Sequence, residues 1–109
     1  MKLYLTRPRS SIKAVADYDM ANKSFVVLKN STISETIAYS EKFRGAKSIE
    51  KSRAGVIDGV RVIKDVTFKS ASTAANFVTG ASTNGLTAWK DESGKTLKAI
   101  LAEMEGNNE

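Results

Sequence analysis

The chain has 109 residues, of which 41% are hydrophobic and 27% are charged, and it contains one proline. A chain of this length and apolar content can bury one core without disulfides, so we predict a single domain over residues 1–109 and exclude a disordered chain. Cysteine and histidine are both absent, which excludes thiolate or imidazole metal sites and catalysis by Ser-His-Asp or Cys-His groups.

Positive charge is concentrated in the first 90 residues. These hold 15 Lys and Arg against 7 Asp and Glu, whereas residues 91–109 hold 2 against 5, so the net charges are +8 and −3. The basic residues that could form one phosphate-facing surface are Arg7, Arg9, Lys13, Lys42, Arg44, Lys47, Lys51, Arg53, Arg61, Lys64 and Lys69. Such a surface would favour nucleic acid. Alternatively, the basic charge only keeps a small protein soluble.

The other polar residues do not indicate an active site. The 12 acidic residues mostly stand alone in turns or on helix faces, which is typical of solvated surface charge. A hydrolase that uses Ser and Lys stays open as an alternative, but we predict no enzyme, no cofactor and no metal. The apolar run before Arg7 is too short for a signal peptide or a membrane span, so we expect a cytoplasmic location and no membrane partner.

The first half of the chain predicts strands and one short helix. Leu3 and Leu5 alternate with polar residues, which predicts an edge strand that ends at Pro8. Residues 12–18 and 24–29 form the strongest hairpin pattern, around a polar turn in which Asn22 can take a positive φ. In chain order, the further predictions here are a short basic helix over 46–54 that ends at Gly55, and a small hairpin over 56–63 around Asp58-Gly59.

The second half predicts two longer helices. The stretch from Ser70 to Gly80 has serines that can cap its start and a glycine that can end it. In chain order, the other predictions are an extended segment over 66–68, a turn over 81–85, a short strand over 86–89, a turn over 91–94, a helix over 95–104 and a frayed tail over 105–109. Together these elements predict an α+β fold: a small antiparallel sheet with an N-terminal hairpin and two or three short helices packed on one side.

One segment carries a distinctive pattern. It has Phe68-Lys69-Ser70-Ala71-Ser72-Thr73-Ala74-Ala75, then Asn84-Gly85, then Trp89. This pattern resembles the domain of unknown function 4357 family and the related restriction-enzyme adenine-methylase-associated domain. The resemblance covers about residues 12–100, and it includes the first hairpin.

The resemblance implies work linked to DNA, because such domains are fused to GIY-YIG nucleases or to restriction and modification proteins. The present chain has no nuclease or methylase segment, so the catalytic activity of those fusions does not carry over. What carries over is the expectation of an accessory domain.

Six residues are the candidate site. Lys69, Ser70 and Ser72 lie at the predicted start of a helix, where they could hold a phosphate, or the serines could simply cap the helix. The other three candidates are Asn84, Trp89 and Lys90. Asn84 could read a base edge or only shape a turn. Trp89 beside Lys90 could stack on a base, or the indole could anchor the core.

These observations favour a non-catalytic accessory domain that binds nucleic acid, in particular DNA, through a basic face. The alternative is a protein-interaction module that docks onto a nuclease or methylase partner through the same charge. The sequence does not predict an oligomeric state.

Overall fold

A computed structural model of the chain describes residues 1–37 and 46–106, without the side chains of Arg9 and Glu105. The elements, in chain order, are β1 (Lys2–Arg7), a 3-10 turn (Pro8–Ser10), β2 (Ile12–Asp19), β3 (Ser24–Val27), α1 (Ala46–Arg53), β4 (Ile57–Asp58), β5 (Arg61–Val62), β6 (Val66–Phe68), α2 (Ala71–Thr79), α3 (Gly85–Ala88) and α4 (Leu97–Gly106). The fold is therefore α+β, as predicted, with four described helices.

Four strands form one antiparallel sheet in the order β1-β2-β3-β6. β2 and β3 make the predicted N-terminal hairpin, and β1 pairs with the other side of β2. β6 joins late in the chain by pairing Phe68 with Phe25. The small β4–β5 hairpin is attached through Thr32, which bridges Lys13 of β2 and Arg61 of β5. This attachment places the second hairpin beside the start of β2.

The core lies on one face of the sheet, because alternate strand residues point the same way. Leu3, Ala14 and Phe25 are buried on this face, together with Phe77 of α2 and Leu97 at the start of α4. The described helices thus add their buried side chains to one side of the sheet, which leaves the other side uncovered. Full burial of a side chain such as Phe77 contributes roughly 1.5–3 kcal/mol.

The two helices predicted with end signals form as expected. Ser70 caps α2 by accepting a hydrogen bond from the Thr73 amide, and Gly80 ends the helix at φ 74°. α1 covers Ala46–Arg53 and is followed by Gly55 at φ 76°.

The first hairpin turn differs from the prediction in one residue. Lys23, not Asn22, has the positive φ, at 54°. The Asn22 side-chain amide donates to the Asp19 carboxylate at 2.8 Å, and the Asn22 and Ala21 amides donate to the same group. Because Asp19 holds Ala21 and Asn22 by these bonds, the left-handed conformation falls on Lys23, the last residue of the turn.

The strand predicted over residues 86–89 is wrong. Gly85–Ala88 form the short helix α3, and the Asn84 side chain caps it by accepting from the Leu86 amide at 3.0 Å. The buried residues here are Gly85 and Trp89, four positions apart, which is one helical turn. The Asn84 cap and this four-residue spacing are helix signals, which the alternation of residues 86–89 had obscured.

The end of the chain shifts by two residues. α4 begins at Leu97 because Thr96 still pairs in extended conformation with Lys90. The helix continues to Gly106, two residues beyond the predicted end, and residues 107–109 of the predicted tail lie outside the described residues. Within the described chain, no helix has the length and apolar character needed to span a membrane.

Candidate nucleic-acid interface

The start of α2 is a capped helix end against which α3 packs. The Ser70 hydroxyl accepts from the Thr73 amide at 3.1 Å and lies 2.7 Å from the Thr73 hydroxyl. A Cβ on Gly85 would overlap the backbone of Ala71 and Ser72, so α3 packs directly on the first turn of α2. The hydrogen bond from the Thr73 amide confirms the capping interpretation of Ser70.

Ser72 and Asn84 also bond to the backbone. The Ser72 hydroxyl accepts from the Gly85 amide at 3.1 Å and so joins α2 to α3. Asn84 is the cap of α3. Gly85 does not have a positive φ, and the glycine is required by its close approach to α2.

Trp89 is part of the core. It is 0% exposed, its Nε1 donates to the Ala71 carbonyl at 3.0 Å, and its ring centroid lies 5.1 Å from that of Phe25. No indole face is open for a base to stack on, so the core-anchor interpretation is confirmed and the stacking interpretation is wrong. A large aromatic side chain with a bonded N–H is a common core anchor.

The two candidate lysines are exposed but lie far apart. Lys69 follows β6 at one edge of the sheet, whereas Lys90 pairs with Tyr4 of β1 at the opposite edge. Four strand intervals of about 4.8 Å separate them across the sheet, or about 19 Å. The six predicted residues therefore do not form one compact site.

The uncovered side of the sheet carries a spread of cations, with Lys13 between Arg61 and Lys90, which are four strand intervals apart. Lys13, Arg61 and Lys90 each have an immediate neighbour that is buried in the core, so their own side chains point outward. We name this side the outer face, and its members are Lys2, Tyr4, Thr6, Lys13, Val15, Asp17, Asp19, Ser24, Val26, Thr32, Asp58, Arg61, Thr67, Lys90 and Thr96.

Register shows how the outer face is arranged. One row across the strands runs from Thr6 to Lys13, Thr32 and Arg61, and a second row runs from Lys90 to Tyr4 and Val15. Lys13, Arg61 and Lys90 are exposed, and none makes an ion pair with another residue that the structure describes. Their charges are therefore available to a ligand.

Three aspartates, Asp17, Asp19 and Asp58, share this face with the cations. Asp17 pairs with the N-terminal ammonium at 3.2 Å, and Asp58 lies opposite Arg61 in the β4–β5 hairpin. Glu92 lies near Tyr4, whose hydroxyl donates to the Glu92 Oε1 at 3.4 Å. Desolvation, then the charge of Glu92 and this hydrogen bond, raise the pKa of Tyr4, so the phenol stays protonated and donates.

A recess of about 420 Å³ opens at the β1 edge of the outer face. Its lining residues are Tyr4, Thr6, Ala88, Lys90, Asp91, Glu92 and Gly94. It combines one aromatic ring, one ammonium and carboxylates around a shallow opening. Sequence reasoning missed Tyr4 and Glu92 because only the sheet register brings residues 4 and 92 together.

Arg53, which we counted among the basic surface residues, is buried. It is 6% exposed, and its Nε and Nη2 donate to the Phe77 carbonyl at 3.1 and 2.7 Å. Its other bonds go to the Ser34 carbonyl and hydroxyl. The helical spacing of Ala46, Ile49 and Arg53 on α1 was the signal that could have revealed this burial.

Two further basic candidates, Lys42 and Arg44, lie outside the described residues. Within the described part of the chain, no group of three or more Asp and Glu side chains comes close enough to hold a metal ion.

The comparisons with known proteins give one match. The model of the family described as Domain of unknown function (DUF4357) matches residues 7–101, which is most of the chain. No significant match was found among curated proteins or among solved structures. The resemblance to the domain of unknown function 4357 family is confirmed, and the chain belongs to the DUF4357 family.

Proposed function

We propose that this chain is a non-catalytic accessory domain that binds nucleic acid through its outer face. The observation that carries the proposal is the exposure of Lys13, Arg61 and Lys90 on the uncovered side of the sheet, on the same side as Tyr4. Cations that neutralise phosphates release condensed counterions, which favours binding at moderate salt. An open sheet with an aromatic side chain also suits a strand whose bases are accessible.

DNA is the proposed nucleic acid, and the resemblance to domains of nuclease and restriction-modification systems supports that choice. The proposal includes a cytoplasmic location and an accessory role beside such enzymes. It moves the binding surface away from Ser70, Ser72, Asn84 and Trp89, because their side chains already cap helices or fill the core. Of the six predicted residues, only Lys90 belongs to the outer face.

Charge reversal on the outer face tests the proposal. The triple variant Lys13→Glu, Arg61→Glu and Lys90→Glu is titrated against a labelled random-sequence DNA by fluorescence anisotropy over a salt series. If each cation meets one phosphate, the plot of log affinity against log salt becomes shallower by about two to three units. The affinity falls at least about tenfold at low salt.

The control keeps the charge change and moves it elsewhere. Lys47→Glu, Lys51→Glu and Lys98→Glu reverse three exposed cations on α1 and α4, on the helix side of the sheet. Both triple variants lower the net charge by the same amount. With that shared effect included, we expect the control variant to bind DNA with an affinity within about threefold of that of the unmodified chain. Equal losses in both triple variants would show that binding follows net charge alone and would overturn the assignment to the outer face.

The alternative function is docking onto an acidic protein such as a nuclease or methylase partner. An acidic protein surface would meet the same three cations, so charge reversal does not by itself separate the two functions. Purified oligonucleotides do separate them, because no partner protein is present. If the unmodified chain binds neither DNA nor RNA at low salt, the nucleic-acid proposal is wrong and docking onto a protein becomes the leading function.

A further inference from the structure

The recess at the β1 edge holds three chemically different groups around one opening. Tyr4 contributes a half-buried ring, Lys90 an exposed ammonium and Glu92 an exposed carboxylate. The volume of about 420 Å³ lies within the range of small-molecule sites, which is roughly 300–1,000 Å³. The opening lies at the margin of the outer face, where a bound strand would pass.

Tyr4 stands on a backbone that is fixed from both sides. It pairs with Val15 of β2 on one side. On the other side its amide donates to the Lys90 carbonyl at 2.7 Å, and its carbonyl accepts from the Lys90 amide at 2.9 Å. A ring on such a platform loses little conformational freedom when a ligand binds, which favours its use as a contact surface.

Glu92 is held in a tight turn. The preceding carboxylate, that of Asp91, accepts from the Ser93 amide at 2.9 Å and from the Lys95 amide at 3.0 Å. The Tyr4 hydroxyl occupies one position on the Glu92 carboxylate, at 3.4 Å. An ionised carboxylate has about four acceptor positions, so Glu92 can accept further hydrogen bonds from a ligand.

We propose that the recess takes one unpaired nucleobase that carries an amino group. The Tyr4 ring stacks on the base, Glu92 accepts from its amino group, and Lys90 contacts the neighbouring phosphate. This inference rests on the proposed function and names the part of the nucleic acid that the site recognises. A base in a duplex is stacked on both faces and paired at its edge, so the recess selects single strands.

The carboxylate also makes the site selective among bases. Adenine, cytosine and guanine carry amino groups that donate hydrogen bonds, and a carboxylate only accepts them. Thymine and uracil have no amino group, and carbonyl oxygens flank their one ring N–H. We therefore expect an oligomer of dC to bind more tightly than an oligomer of dT of the same length.

The test compares labelled oligomers of about 12 nucleotides, a length within the usual site sizes for single strands. The unmodified chain and Glu92→Gln are titrated with the dC and dT oligomers by fluorescence anisotropy. The glutamine amide can donate as well as accept, so we expect the ratio of the dC affinity to the dT affinity to fall close to one. Affinity for both oligomers rises because a negative charge near phosphates is removed. A preference that Glu92→Gln leaves unchanged would overturn the role of Glu92.

The aromatic role is tested with two variants of Tyr4. Tyr4→Leu is expected to weaken single-strand binding about tenfold, within the usual effect of losing one stacking ring, while duplex binding changes little. Tyr4→Phe keeps the ring and is expected to stay within about twofold to threefold. Thermal unfolding of each variant is measured alongside, and Tyr4→Phe remains informative if Tyr4→Leu fails to fold. Equal effects of Tyr4→Leu on single strands and duplex would overturn stacking.

Failure of this inference differs from failure of the proposed function. If the chain binds DNA and the outer-face variant does not, while Tyr4→Leu and Glu92→Gln change nothing, the base site is wrong and the outer face stands. If no nucleic acid binds at all, the proposed function is wrong and the base site falls with it. RNA oligomers of C and U, titrated in parallel, tell whether the base or the sugar decides the preference.

Discussion

Arg53 balances its buried charge against carbonyl oxygens, and the structure shows no ion pair with a described carboxylate. The Phe77 carbonyl belongs to the last turn of α2, where the helix itself provides no partner. A cation at a helix C-terminus also interacts favourably with the helix dipole. Burial lowers the pKa of Arg53, but a guanidinium stays charged at any physiological pH. Arg53 therefore holds α1, α2 and the Ser34 segment together.

Replacing Arg53 should destabilise the fold without touching the proposed binding surface. Arg53→Met keeps most of the aliphatic stem but leaves the buried acceptors of Phe77 and Ser34 without a donor, which costs about 1–3 kcal/mol. Urea unfolding measures the loss. The matched control is Lys51→Met, the same kind of change at an exposed position of α1, which we expect to cost less than about 0.5 kcal/mol. Equal effects in the two variants would show that the Arg53 bonds contribute nothing.

At the scale of elements, α3 is placed by contact between backbones. Its first residue, Gly85, lies so close to Ala71 and Ser72 that a side chain would not fit, and the Ser72 hydroxyl accepts from the Gly85 amide. The same arrangement directs Trp89, the residue after α3, into the core under β3. In the Asn-Gly pair of the family pattern, Asn84 caps α3 and Gly85 allows the backbone of α3 to approach the backbone of α2 closely.

A single methyl group should disturb this junction. Gly85→Ala would raise the helix propensity of α3 but overlap the backbone of α2, and overpacking of this kind costs about 1–3 kcal/mol. Thermal unfolding is expected to shift down by several degrees for a domain of this size. Thr87→Ala on the exposed side of α3 serves as the control. A Gly85→Ala protein as stable as the unmodified chain would show that the two helices can separate without loss.

The turn between Trp89 and α4 should be sensitive to acid. Hydrogen bonds from Ser93 and Lys95, with the Ser93 side chain first, lower the pKa of Asp91. A lowered pKa in the folded state adds stability above the unfolded value of about 3.9, and that stability is lost as pH falls through the folded pKa. Asp91→Asn should therefore reduce the dependence of stability on pH below about pH 4. Denaturant unfolding at several pH values measures the free energy of unfolding. The same change of this free energy with pH in both proteins would contradict the prediction.

At the scale of the whole molecule, charge and shape are distributed unevenly. The net charge is +5, yet one of the basic residues is in the core, and Lys69 and Lys90 occupy opposite edges of the sheet. What forms a surface is the set of cations on the one sheet face that the described helices leave uncovered. We therefore expect charge reversal on the outer face to weaken nucleic-acid binding more than the control charge reversal does.

Local signals in the sequence were enough to predict much of the fold. Alternation of leucines predicts β1, serine and glycine at its ends predict α2, and the Phe-x-Ser-x-Ser-x-Ala-Ala segment indicates the family. These features depend on neighbours within a few residues, so they can be read without knowing the packing. The capping role of Ser70 and the core role of Trp89 were also among the interpretations that the sequence allowed.

Which residues meet depends on tertiary packing. The pairing of Tyr4 with Lys90 joins positions 86 residues apart, and the contact of Gly85 with α2 turns a predicted strand into a helix junction. Burial of Arg53 likewise depends on where α2 ends beside α1. The α+β class and the capped helices could be predicted from the sequence, because they follow from local chemistry. The outer face and its recess follow from strand register and packing, which are set by contacts between distant parts of the chain.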